Sequence, residues 1–422
     1  MIILPSLEIV PAKYNSGTLL SQIPIDGTGD FTVSRTTSPV TGLSTRVNSL
    51  GLIETVNDNV PRLDYPLGGA VNGCPALLVE PSAQNLLQRS EEFNDAYWGK
   101  ASGGTASAPV VTPNVELAPD GTNNADRVVF ALNGGTTSTD LSSINSATLT
   151  HSAASFTSSV YIRTTDGSTV TMTFVNADGT STNRTITPTY QRITYTSTGA
   201  GTAQYRIRLR GGVTSNSASV AIWGAQYEAG SVATSYIPTT TQAITRGADI
   251  VRKTGITSLI GQSEGTVYFE VEVTAEARDK WIFSIDSASN SFIQCWVNTS
   301  GQISVQIQNA GSVVMTTLIS SVLSVGYHKL AFAYNTATNG CEMFIDGVQN
   351  PVASRTITGA GLPAFNNFSY GGYLSTITAT LKGHVRAGAI YPNRLTNTKL
   401  ALLTSPYTSY SSMASALSYT LG

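Results

Sequence analysis

The sequence predicts an all-β protein: two antiparallel β-sandwiches of jelly-roll type, preceded by an irregular, extended N-terminal segment. Three observations predict it. Charged residues make up only 12% of the 422, about half of the usual 25%, and Thr, Ser, Gly and Asn stand in their place, which suits solvent-facing strand positions and tight turns. Apolar residues fill 41% of the chain, enough burial to exclude disorder. They recur at period two in two separate series, with Asp-Gly pairs between the runs.

In chain order, residues 1–82 show short β-like runs such as Phe31-Thr32-Val33 between turn clusters, Asp26-Gly27-Thr28-Gly29-Asp30 and Leu67-Gly68-Gly69. With little helical period, this segment is expected to dock on another surface rather than fold around a core of its own. From 83 to 240 the alternation is regular. Val170, Met172 and Phe174 alternate with threonines, Tyr205, Ile207 and Leu209 alternate with Arg206, Arg208 and Arg210, and Val160 and Ile162 alternate with Tyr161 and Arg163. Asp166-Gly167 and Asp178-Gly179 supply the turns between strands. Short alternating strands at this spacing read as a sandwich. Residues 241–257 read as a linker.

The second module spans 258–422. Its strands are marked by Val267, Phe269, Val271 and Val273, by Ile293, Cys295 and Val297, by Ile303, Val305 and Ile307, and by Leu330 and Phe332 leading to Cys341, Met343 and Ile345. Trp281, Phe283 and Ile285 share a strand face and are expected in the core. A short helix is expected over Leu395–Leu403, before a Ser/Tyr-rich tail.

Composition also excludes function classes. A net charge of −2 gives no electrostatic reason to expect nucleic acid or an anionic membrane as partner. No run of about 18 apolar residues is present, and Met1-Ile2-Ile3-Leu4-Pro5 lacks a basic signal-peptide start. Synthesis in a cytoplasm without a signal peptide is therefore expected. Cys74, Cys295 and Cys341 are odd in number and show no CxxC spacing, so they imply neither a disulfide framework nor a thiolate metal site.

Several runs carry a family resemblance. Thr45-Arg46-Val47-Asn48, Gly51 to Val56, Asn59-Val60-Pro61-Arg62-Leu63-Asp64-Tyr65 and Cys74-Pro75-Ala76-Leu77-Leu78-Val79-Glu80-Pro81 resemble the N-terminal region of bacteriophage head- and tail-fibre proteins, as do Ser90-Glu91-Glu92-Phe93 and Trp98. Gly224 to Gly230 with Ser235-Tyr236-Ile237-Pro238-Thr239 resembles the carbohydrate-binding jelly rolls of the same proteins. Gly326-Tyr327-His328-Lys329-Leu330, Phe344-Ile345-Asp346-Gly347 and Gly383-His384-Val385-Arg386 are similar to concanavalin A-like, laminin G-type sandwiches. The resemblance covers roughly the whole chain. It implies a structural protein of a phage virion surface, with residues 1–82 anchoring to other virion proteins and host adhesion through surface glycans. It carries no binding residues over.

Chemistry-bearing patterns are sparse. Glycosidase action needs two carboxylates about 5–10 Å apart. Glu270 and Glu272 are spaced for a pair but read as a solvated face. His151, His328 and His384 are scattered, no Gly-x-Ser-x-Gly elbow appears, and no cofactor is implied, so the chain reads as non-enzymatic. Asp120 and Asp126 are the residues a structural calcium would use, although a Pro-Asp-Gly turn has its own local reason to exist. Arg206 and Arg208, with Tyr161 and Arg163 expected nearby in one sheet, present guanidiniums that suit the carboxylates of an acidic glycan; the alternative, favoured of the two, is a subunit or domain contact. Phe292 and Trp296 form an aromatic face suited to sugar stacking or to burial against a neighbouring chain. His328 reads as a structural hydrogen-bonding residue. Low charge and flat polar faces lead to an expected homo-oligomer, a trimer. A secreted bacterial glycan-binding protein, or a polysaccharide-degrading enzyme, is the alternative reading.

Overall fold

The computed structural model describes residues 4–40, 43–66, 74–151, 155–212, 215–274, 280–288, 290–372 and 381–406. The protein is all-β, and the one helix among the described residues, Asn397–Thr404, is capped by the Thr396 side chain, which accepts from the Lys399 amide. The predicted fold class and the second-module helix thus appear.

The first sandwich packs two antiparallel five-stranded sheets. One runs in the order Gly99–Gly103, Leu141–His151, Gly201–Arg210, Val170–Val175, Ser181–Ile186. Its partner runs Ser107–Glu116, Ala125–Ala131, Ser217–Ala229, Phe156–Thr164, Gln191–Ser197. Alternation sends Met172, Phe174, Tyr205, Ile207 and Leu209 from the first sheet into a core shared with Phe130, Val160, Ile162 and Ile222 of the second. Trp98 closes that core and is fully buried, its indole N–H donating to the Arg89 carbonyl at 2.8 Å. The arginines of Gly201–Arg210 therefore lie on the outer face.

The second sandwich departs from the expected division of the chain. One of its sheets places Glu264–Val273 beside Gly326–Asn335 on one side and Gly383–Tyr391 on the other, then continues into Ala76–Val79 and Leu63–Asp64; Leu7–Ile9 also pairs with Gly383–Tyr391. The other sheet runs Tyr14–Asn15, Thr18–Leu19, Phe31–Ser34, Ile250–Thr254, Asn367–Tyr370, Lys280–Ala288, Ser291–Val297, Gln302–Asn309, Ser312–Val322. Residues 1–82 thus supply strands to both sheets, and Leu7, Ile9, Leu19, Phe31, Val33, Leu63, Leu77 and Val79 enter the core beside Phe269, Phe283 and Phe332. The strands Leu7–Ile9, Thr18–Leu19, Phe31–Ser34, Leu63–Asp64 and Ala76–Val79 are part of this sandwich rather than a separate extended piece. The stretch read as a linker is also strand: Ile244–Arg246 pairs with Ala83–Asn85 and Thr37–Ser38, and Ile250–Thr254 pairs with Phe31–Ser34. The reason is length. Runs of two to four residues show no period, and their burial comes only from partners some 200 to 380 positions away.

Within this sandwich a register shift between Trp281 and Phe283 adds one residue to the strand and flips the side that follows. Ile282, Phe283 and Ile285 enter the core, while Trp281, expected there, is left half-buried outside it. Cys295 and Cys341 are buried core thiols.

The two sandwiches meet at a buried ionic junction built from four stretches of chain. Arg35, Arg62 and Arg246 surround Glu80 and Asp249, all five buried. Arg35 Nη1 lies 2.7 Å from Asp249 Oδ1, Arg62 Nη1 lies 2.8 Å from Glu80 Oε2, and Arg62 Nη2 also contacts Asp249. The Ser235 amide and hydroxyl donate to Glu80 at 2.8 and 2.7 Å. Burial alone would raise the carboxyl pKa of Asp249, but Arg62, Arg35 and Arg246 hold it below the ordinary range. Arg62, Glu80 and Ser235 belong to three separate runs that carry the fibre-protein resemblance. Those runs converge here.

Candidate functional site

The first sheet of the first sandwich carries Lys100, Arg184, Arg206, Arg208 and Arg210 in its five strands, and neither Asp nor Glu. Arg206, Arg208 and Arg210 follow one another on the outer face, each about 7 Å from the next, and all three are half-buried. Across the ladder Arg206 faces Asn145 and Val175, and Arg208 faces Ser143 and Thr173. These neighbours bond among themselves: Ser143 donates to Asn145 Oδ1 at 2.5 Å and Thr173 to Asn183 Oδ1 at 2.8 Å. Among the described residues no carboxylate pairs with any of the three arginines. The buried Nε–H groups of Arg206 and Arg208 have no acceptor, a costly state for a polar donor. Arg210 Nε donates to the Ser138 carbonyl at 3.0 Å. Burial, then the charges of Arg210 and Arg206, lower the pKa of Arg208, yet an arginine remains cationic. This is a strip of unspent positive charge in a hydroxyl and amide frame.

The partner sheet is different in kind. Its strands hold Glu116, Asp126 and Glu228 against Arg127, Arg163 and Arg192. Glu116 accepts from both Arg127, at 2.6 Å, and Arg163, at 2.7 Å. Tyr161 and Arg163 lie in this sheet, so the expectation that they neighbour Arg206 is corrected: a strand pattern gives the side of a residue but not which sheet receives the strand. Tyr161 is also buried, at 5% exposure. It packs with Trp223, Tyr236 and Ile53 beneath the hairpin formed by Ser44–Val47 and Ile53–Val56. It is not a sugar-stacking surface.

In the second sandwich Phe292 and Trp296 do share a face away from the core. Phe292 is only 7% exposed, opposite Asp286 and Gln308, so its ring is not free for stacking. Trp296 is half-buried and forms a cross-strand pair with Trp281, ring centroids 5.3 Å apart at 57°. That pair was hidden in the sequence by the register shift.

The acidic turn is held in part by local bonding, while the buried Asp126 Oδ2 and Asn124 Oδ1 have no partner among the described residues. Asp120 Oδ1 accepts from the Thr122 amide and hydroxyl, both at 2.9 Å. Asp126 is buried and accepts from the Asn114 amide at 3.0 Å. Among the described residues no group of three or more His, Cys, Asp or Glu is placed to hold a metal. His328 bonds Asp346 at 2.6 Å and the Ser324 carbonyl at 2.9 Å, a structural pattern. Glu272, read as a solvated residue, instead bonds His384 Nδ1 at 2.6 Å, while Asp64 bonds Nε2 at 2.9 Å. Burial opposes the charge of His384, but hydrogen bonds to Asp64 and Glu272 outweigh it and hold the imidazolium up to about 9. Local sequence carried no signal for this group, because Asp64 and His384 stand 320 positions apart.

No protein-family model matches the chain, and no curated protein matches it. Solved structures with similarity to it include the carbohydrate-binding module CBM40 of a Ruminococcus gnavus IT-sialidase, at 14% identity and a TM-score of 0.30, covering 34% of this chain and 84% of that one. They also include a leech intramolecular trans-sialidase at 18% identity and TM-score 0.30, and the NanB sialidase of Streptococcus pneumoniae at 14% and 0.31. The aligned part spans about a quarter of those two enzymes, 24% and 26%. Likeness of this degree carries neither activity nor ligand across to this chain.

Proposed function

We propose that this chain is a non-enzymatic glycan-binding protein of a bacteriophage virion surface, and that the outer arginine face of the first sandwich takes the carboxylates of an acidic glycan. The observation that carries the glycan reading is the charge imbalance of that sheet. Three adjacent guanidiniums repel one another, and two of them bury donors that nothing among the described residues accepts. A carboxylate-bearing ligand relieves both costs through charge-assisted hydrogen bonds, while the Ser143, Asn145 and Thr173 frame suits sugar hydroxyls. Support for binding rather than hydrolysis comes from the same sheet, which has no acid to serve as proton donor or nucleophile. A subunit contact needs an acidic partner surface, and the carboxylates of the opposite sheet do not offer one: Glu116 is paired with Arg127 and Arg163, and Asp126 and Glu228 are buried.

The virion half of the proposal is supported by the fibre-like runs that converge at the ionic junction. Low charge and flat polar faces motivate a homotrimer. Two experiments test the reading. A panel of acidic and neutral polysaccharides should show retention of the acidic ones, and equal retention of both sets refutes the face. Immunogold labelling of intact virions should decorate their surface; unlabelled virions would favour the secreted glycan-binding alternative.

A further inference from the structure

A second pocket lies at the seam between the sandwiches, apart from the arginine face. It has a volume of about 230 Å3 and is walled by the N-terminal hairpin, the outer side of the partner sheet, the 233–236 loop and the second sandwich. The cations around it are already matched, with one exception. Arg46 pairs with Glu54 at 2.7 Å, and His384 is held between Asp64 and Glu272. Arg192 has no carboxylate partner among the described residues. One of its terminal nitrogens donates to the Ser159 hydroxyl at 3.0 Å. Its carbon centre lies 5.3 Å over the Tyr161 ring, and its buried Nε–H has no acceptor. The nearby Glu228 is buried and spent on Gln226 and Thr234.

The rest of the wall presents the carboxylates of Asp64 and Glu80, paired with His384 and Arg62, and hydroxyls whose protons are already committed. Thr45 donates to the Tyr236 carbonyl at 2.5 Å, Thr234 to Glu228 at 2.8 Å and Ser235 to Glu80 at 2.7 Å. Thr45 and Thr234 keep acceptor capacity for an incoming O–H, and Ser235 Oγ, which already accepts from Arg62 at 2.6 Å, keeps its second lone pair. The volume falls below the roughly 300–1,000 Å3 of drug-sized pockets and suits a single ring.

We propose that this seam pocket binds one acidic monosaccharide unit, its carboxylate on Arg192 and its hydroxyls on Thr45, Thr234 and Ser235. The ligand closes over groups from both sandwiches, so occupancy also ties the modules together. The inference shares only the ligand class with the arginine face and stands or falls separately.

The test is titration of the full chain with glucuronic acid, observed by ligand NMR, with glucose as the neutral counterpart. Saturable millimolar binding of glucuronic acid alone is expected. Arg192→Met keeps the stem over Tyr161 and removes the guanidinium; it should weaken binding about tenfold to a hundredfold. Ala233→Phe fills the pocket without touching Arg192 and should abolish binding, with circular dichroism checking that both variants fold. The inference is overturned if the chain does not bind glucuronic acid, or if glucose binds equally well. It is also overturned if both folded variants bind like the unaltered chain, or if the loss follows Arg206→Ala/Arg208→Ala instead.

Discussion

Two groups of three arginines sit in this molecule under opposite conditions. Arg35, Arg62 and Arg246 are buried at the junction and face Glu80 and Asp249. Arg206, Arg208 and Arg210 line an outer sheet face that has no acid in any of its strands. The residue type is the same, and the difference lies in what answers the charge. At the junction the chain itself supplies carboxylates from distant segments, and the result is a joint. On the face nothing among the described residues supplies them. An arginine cluster signals binding only when its counter-charges are missing, and that is a property of the fold rather than of the cluster.

The contrast can be broken in three places. The largest effect is expected at the junction. Asp249→Ala leaves Arg35 buried without a counter-charge and Arg62 with Glu80 alone, and should cost about 3–5 kcal/mol, measured by chemical denaturation. A cost under about 1 kcal/mol would mean that the junction does not hold the sandwiches together.

Next comes pH. The folded pKa of His384, about 9, lies above its ordinary value of 6.5. Its contribution is therefore fully present below pH 6.5 and is lost as pH rises through 9, by up to about 3 kcal/mol. His384→Gln should flatten that part of the stability profile. A variant whose profile parallels that of the unaltered chain between these limits would place the pH dependence elsewhere.

The smallest effect is expected on the arginine face. Arg206→Ala should change stability by no more than about 0.5 kcal/mol, and in the favourable direction if relief of repulsion from Arg208 dominates. A loss of several kcal/mol would show that this arginine has a structural partner after all.

Much of this was legible in the sequence, and the limits have physical causes. Period-two alternation put Tyr205, Ile207 and Leu209 inside and Arg206, Arg208 and Arg210 outside, and the structure has them so. Alternation assigns a side but not a cover: Tyr161 and Phe292 point away from the cores as expected and are nonetheless buried. It is also defeated by a single extra residue, which took Trp281 out of the core and set it against Trp296. The N-terminal strands, two to four residues each, were too short to declare themselves. The junction and the His384 group were invisible because their members are brought together across as many as 214 and 320 positions of sequence.

On the proposed reading, an acidic ligand meets the charge that the arginine face leaves unmatched. The most direct measurement is the affinity of the full chain for a uronic-acid oligosaccharide by calorimetry, compared with Arg206→Ala/Arg208→Ala at the same ionic strength, since exposed charges are screened within about 8 Å in physiological salt. The account predicts a loss of about tenfold or more per arginine, with thermal unfolding nearly unchanged. Equal affinity of the two proteins, or equally tight binding of a neutral oligosaccharide of the same length, would contradict it.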